Sequence, residues 1–220
     1  DSSQSRGLGD VYKRQDMLTN RADTYNLGDI IGDSADLFKL SYLENCLTSN
    51  SILNRLATKS MKDVLSLIHI AATDNTDGIE YEANHTSDEL NEYINVLKKL
   101  IKVRDVVLLV NQEYIKSAAQ EDEYRTEPPF KLQGSYRDMN KLAEKIVPIM
   151  NEKELESLIV SHYVSESQTL TNGAEANMLK FKELTNLLSE EETKRWEEIK
   201  HTFQRNLALG GAGEDRICLL

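Results

Sequence analysis

Leucine, isoleucine and valine recur at three- and four-residue intervals through most of the chain, the spacing that gathers side chains on one face of an α-helix. Residues 36–48 place Leu37, Leu40, Leu43 and Leu47 on one such face. Ile52, Leu53 and Leu56 define a short second helix, and Met61, Val64, Leu65, Ile68 and Ala72 a third. A polar connection, residues 73–87, leads into a long helix carrying Leu90, Ile94, Leu97, Ile101, Leu108 and Ile115. Thr86 with Glu89 three residues on matches a capping box at its start. The β-branched run at 106–110 leaves a local strand open, and Glu127-Pro128-Pro129 is expected to stop the helix, because proline lacks the amide donor. Gly134-Ser135 then opens a helix whose buried face should be Met139, Leu142, Ala143, Ile146 and Met150, with Pro148 as a stop or kink. Asn151 with Glu154 begins the next, through Leu155, Leu158, Ile159 and His162. Two more follow the turn at Asn172-Gly173. One buries Phe181, Leu184 and Leu188; the other, capped by Ser189 with Glu192, buries Trp196, Ile199, Phe203 and Leu207 and ends at Gly210-Gly211.

The expected fold is therefore all-α, with about eight helices. Residues 16–33 are turn-rich and read as a strand or loop entering the domain. Two regions are expected, residues 16–150 and a helical extension over 151–209, with 210–220 as a disordered tail. Residues 1–15 stand apart. Ser5 to Gln15 (SRGLGDVYKRQ) is what a transposon-based sequencing adapter encodes in one frame. The first fifteen residues are accordingly read as adapter-derived, the chain as a fragment called on environmental reads, and its natural start as lying elsewhere. Residues 65–70 (LSLIHI) match the opposite strand of the same adapter, yet the apolar spacing runs through them unbroken, so they are kept as helix. The last three residues also fit an adapter frame.

Charge narrows the functional classes. The chain has 26 basic and 37 acidic residues, a formal charge of −11, and setting aside residues 1–15 leaves it acidic. Such a balance argues against a nucleic-acid surface spread over the whole piece, since phosphate neutralisation needs clustered Lys and Arg. Two cysteines, Cys46 and Cys218, are too few for a disulfide framework or a zinc site, and Cys46 reads as a reduced core residue. No run of 18 apolar residues is present to span a membrane, and a cytoplasmic location is the default expectation.

The most distinctive segment is EPPFKLQGSYRDMNKLAEKI, residues 127–146. It puts Arg137 in the first turn of a helix, where the dipole already carries partial positive charge and a cation calls for an anion nearby. That anion is either a carboxylate, with Asp138 or a neighbouring Glu as the nearest candidates, or a ligand phosphate. Lys131, Arg137, Lys141 and Lys145 form a modest basic cluster around Tyr136, read either as a phosphate contact or as a solvated face. Glu82-x-x-His85 and Glu198-x-x-His201 have the spacing of di-iron bundle ligands, but the bundle chemistry needs further carboxylates, and both pairs read better as solvated surface residues. No residue is assigned as a metal ligand. There is no G-x-x-x-x-G-K-[ST] loop and no convincing Asp-Glu pair for Mg²⁺, so this piece alone is not expected to hydrolyse ATP.

Residues 127–146, with Asn20-Arg21-Ala22-Asp23, the stretch 41–50 (SYLENCLTSN), Ala174-Glu175-Ala176-Asn177 and the stretch 195–200 (RWEEIK), resemble the C-terminal region of large bacterial AAA+ ATPases of the DNA-repair type, over nearly all of residues 16–209. Gly134-Ser135-Tyr136-Arg137 is also similar to the sensor-2 signature of MoxR-like AAA+ ATPases, with Tyr136 where that pattern has Pro. The resemblance implies an AAA+ lid-like region over 16–150. It implies that Gly134, Ser135 and Arg137 face the nucleotide, with Arg137 reaching the γ-phosphate, and that Arg21 lies near the arginine finger of a neighbouring subunit. It further implies ATP and Mg²⁺ as cofactors of the parent protein and none for the fragment alone. The implied partners are a missing N-terminal ATPase core, further copies in a homo-oligomer, and DNA. The competing expectation is a helical binding or scaffold module with no nucleotide role, in which Arg137 is a structural ion-pair residue.

Overall fold

The computed structural model describes residues 33–209, and these contain eight α-helices and no strand. Helix α1 is Asp33–Cys46, closed by a 3₁₀ turn at Leu47–Ser49; α2 is Ser51–Lys59 and α3 is Met61–Thr73. The long α4 is Ser87–Ala119, followed by a 3₁₀ turn at Asp122–Tyr124. Helices α5 (Tyr136–Ala143), α6 (Glu152–Gln168), α7 (Ala174–Leu184) and α8 (Glu190–Ala208) follow among the described residues. The all-α expectation is met, and α4 runs through 106–110 without a strand. The expected entering strand or loop at 16–33, apart from Asp33 itself, lies outside the described residues, as do Gly210, Gly211 and the expected tail. The chain divides into two compact units, Asp1–Phe38 and Lys39–Leu220. In the first, the described residues are the opening turns of α1.

In the second unit α4 is the spine. Helices α2 and α3 pack on its N-terminal half, α5 and α7 also lie against it, and α6 bridges α5 and α7. Its buried face is Tyr93, Val96, Leu97, Leu100, Val103, Val107, Leu108 and Val110, rotated from the stripe expected from Ile94, Ile101 and Ile115, which are half-buried. Contacts on two sides account for the broader face. In α1, Leu43 and Leu47 are buried as expected, but Tyr42 and Cys46 join them instead of Leu37 and Leu40. Burial pushes the Cys46 thiol up to about 12, so it is an inert core group. Trp196 is the fully buried anchor of α8, packed with Ala176, Leu179, Leu188 and Ile199.

Capping explains most helix starts. Thr86 with Glu89, Asn151 with Glu154 and Ser189 with Glu192 all close reciprocal capping boxes. Helix α4 ends at Ala119, well before the prolines. Glu121, Asp122 and Glu123 follow, and acidic groups oppose the negative end of the helix dipole. Arg125 folds back to donate to the Gln120 carbonyl and the Asp122 carboxylate, covering that end. Likewise α5 stops at Ala143, short of Pro148.

The polar connection between α3 and α4 is pinned by one carboxylate. Asp63, fully buried, accepts the Glu82 and Ala83 amides at 2.8 and 3.0 Å and faces His85 Nε2 at 2.7 Å. His85 is thus buried between the Tyr81 and Tyr93 rings, a correction to its reading as a solvated residue, while Glu82 does face solvent, paired with Lys62. Burial by itself raises the Asp63 carboxyl, but the two amides and His85 outweigh it and hold it below its ordinary value. A carboxyl depressed in the fold contributes stability above its unfolded value of about 4, and that stability is lost as pH falls through the folded value. Asp63→Asn should therefore cost roughly 2–4 kcal/mol at neutral pH, by stranding donors in the interior. Urea midpoints measured from pH 7 downward should fall on the acid side, and less steeply in the variant than in the unaltered protein.

Candidate functional site

The segment leading to α5 is held to its neighbours by backbone donors. The Phe130 amide donates to Ser117 Oγ of α4 at 2.8 Å, and the Lys131 amide to Asn177 Oδ1 of α7 at 2.6 Å. Gly134 then lies directly on the backbone of α4. A Cβ added there would fall 1.8 Å from the Val107 carbonyl oxygen and 2.9 Å from the Asn111 nitrogen, so only glycine fits. Its carbonyl accepts the Tyr42 hydroxyl at 3.1 Å. The next residues are thus fixed from two sides before the helix begins.

Ser135 is the N-cap of α5. Its hydroxyl accepts the Asp138 amide, and the Asp138 carboxylate accepts the Ser135 amide at 2.9 Å, closing a capping box. The same Asp138 Oδ2 accepts the Ser135 hydroxyl. Tyr136 is the first helical residue, a position at which proline is favoured elsewhere, and here the helix starts without one. Its ring packs on Tyr42, centroids 4.3 Å apart, and its hydroxyl lies 2.7 Å from Ser41 Oγ.

Asp138 is buried and turned inward. Its Oδ1 faces His162 Nε2 of α6 at 3.1 Å, with side-chain exposures of 3% and 7%. Burial by itself raises the Asp138 carboxyl; His162 and the Ser135 hydroxyl and amide outweigh it and hold it below its ordinary range. Asp138 is consequently not the partner of Arg137. The Arg137 guanidinium is 71% exposed, and its nearest carboxylate is Glu166 of α6 at 3.7 Å, too long for a hydrogen bond. Glu166 is held more closely by Lys141, at 2.8 Å. Arg137 and Lys141, one helical turn apart, thus converge on one carboxylate, while Lys131 and Lys145 are exposed.

Of the residues nominated from sequence, Gly134, Ser135 and Arg137 are brought together at the start of α5. Arg21 and Asn20 lie outside the described residues. Of the second Glu-x-x-His pair, Glu198 bonds Arg195 and His201 is exposed. Asp138, His162 and Glu166 were missed as a group. The only signals for them were the i, i+4 spacing of His162 and Glu166 and the unread capping pair Ser135-x-x-Asp138. Elsewhere, α4, α6 and α7 border a groove of about 250 Å³ floored by Val106, Leu155, Ile159 and Phe181; the nominated residues do not line it. No family model matches the chain, and no curated protein or solved structure matches it either.

Two substitutions test this geometry. Gly134→Ala should destabilise the protein by at least about 1–3 kcal/mol, because the clash is with helix backbone and has no flexible side chain to absorb it. Ser135→Ala should cost about 1 kcal/mol, the worth of an N-cap. Thermal melts followed by circular dichroism check both, and an unshifted Gly134→Ala midpoint would contradict the close approach to Val107.

Proposed function

We propose that the chain is the lid and C-terminal arm of an AAA+ ATPase, residues 16–150 forming the lid-like region and 151–209 a helical extension, with Arg137 as the lid arginine that approaches the γ-phosphate. The observation carrying this reading is the placement of Arg137. A cation in the first turn of α5 is opposed by the helix dipole, yet the guanidinium is 71% exposed and its nearest carboxylate stands 3.7 Å away. Such a charge extends from a backbone position that is fixed and remains available to an anion. Gly134 and Ser135 supply the rigid entrance that fixes it.

In this reading ATP and Mg²⁺ are held by a core domain of the parent protein, and Arg137 acts on charge developing at the γ-phosphate, as cationic groups do in phosphoryl transfer. Arg21 would serve a neighbouring subunit's nucleotide in a homo-oligomer. A DNA-repair role comes from the resemblance to that class of ATPase. The Glu166 contact favours a second reading, a helical binding or scaffold module in which Arg137 and Lys141 only brace α5 against α6.

Steady-state ATP hydrolysis by the parent ATPase separates the two. Arg137→Ala should lower kcat by about 10²-fold or more while leaving the melting midpoint within a degree or two, since the side chain is exposed. An unchanged hydrolysis rate would remove Arg137 from the mechanism and leave the scaffold reading.

A further inference from the structure

We propose that Asp138, His162 and Glu166 bind one divalent transition-metal cation, with zinc the best match to the donor set. One ligand atom from each side chain lies within 4.8 Å of the other two, and among the described residues no second group of three such donors gathers. The three come from two helices that pack on each other, α5 and α6. His162 and Glu166 are one turn apart on α6 and share a face.

The Asp138 carboxylate is oriented as metal ligands are by their outer shell. The Ser135 amide and hydroxyl occupy Oδ2, which leaves Oδ1 on the side of His162. Glu166 is 23% exposed, so the group opens to solvent on that side and a cation can reach it. Two carboxylate oxygens and one imidazole nitrogen suit zinc, whose open sites keep three protein ligands and a water. Magnesium favours oxygen ligands alone. The hydroxyl of Tyr163, the residue after His162, is buried and has no hydrogen-bond partner among the described residues. The other buried Asp–His pair offers a contrast, because Asp63 spends both oxygens on backbone amides and His85 and gathers no third donor.

Lys141 and Arg137 compete with the cation for Glu166. The site therefore carries its own signature, in that removing a lysine should strengthen metal binding. The assignment departs from the expectation that the chain holds no metal ligand, and it does not depend on the nucleotide reading.

The test is isothermal titration of the chelator-treated full chain with zinc, manganese and magnesium chlorides. One zinc ion per chain is expected, together with a melting midpoint that rises with zinc. Glu166→Gln and His162→Gln should each weaken binding by about 10–100-fold. Lys141→Ala should tighten it, and His201→Ala, at an exposed histidine, should leave it unchanged. Because Glu166 is partly exposed, Glu166→Gln keeps the fold even where His162→Gln does not, and circular dichroism verifies this. Absence of zinc binding, magnesium preferred over zinc, or zinc binding indifferent to both Glu166→Gln and Lys141→Ala would overturn the proposal.

Discussion

The close approach of Gly134 to the backbone of α4 is the constraint around which the rest of the second unit is arranged. A main-chain segment seated on a helix leaves no room for a side chain, and it sets where the following helix can begin. From that point Tyr42 reaches the Gly134 carbonyl, Ser135 caps α5, and Asp138 turns inward to meet His162. Helix α1, helix α5 and helix α6 are thereby referred to one place on the α4 spine. Asn50 repeats the device at the other end of α5. Its oxygen caps α2, while its amide donates to the carbonyls of Ala143 and Ile146, so a single buried side chain ties the start of one helix to the end of another.

Much of the unit is joined by polar groups that each serve two masters. Asp138 caps a helix and holds a histidine; Asn177 binds the 129–131 segment and its own helix start; Lys180, buried in α7, meets Glu127 and Glu183 and stands 3.7 Å from Glu113 of α4. Apolar packing alone would let helices slide along one another, because it is not directional. Hydrogen bonds to buried acceptors are directional and expensive to break, so they select one arrangement. This matters for the face bearing Arg137. The guanidinium is mobile by nature, yet its Cα is carried by a helix whose first turn is fixed on three sides.

The legible part of the structure was the local part. Helix starts at Thr86, Asn151 and Ser189 were readable because a capping box needs only residues three apart. The box at Ser135 went unread because its acceptor is an aspartate adjacent to Arg137, which invites an ion pair between neighbours; the structure turns the two side chains apart. His85 looked solvated because it sits in a polar stretch, and only the return of Asp63, 22 residues earlier, buries it. His162 and Asp138, 24 residues apart, met for the same reason. Periodicity read half of the inward side of the first helical stretch, since Tyr42 and Cys46 join Leu43 and Leu47 there in place of Leu37 and Leu40. Apart from the Ser135 box, whose spacing was local, each of these misses is a case in which a contact between distant residues decided the outcome.

The pairing of residues 41–50 with residues 134–146 has a consequence for how the chain matures on the ribosome. Ser41 and Tyr136, Tyr42 and Gly134, and Asn50 and Ile146 are separated by 95, 92 and 96 positions. At ordinary translation speeds of 5–20 residues per second, the earlier member waits roughly 5–20 s for the later one to be made. Throughout that interval Tyr42 of α1, whose ring and hydroxyl meet Tyr136 and Gly134 in the fold, has no permanent cover. The nascent chain therefore passes through a stage in which α2, α3 and the first half of α4 can already associate, while α1 offers a sticky surface to whatever chaperone or sister chain is nearest.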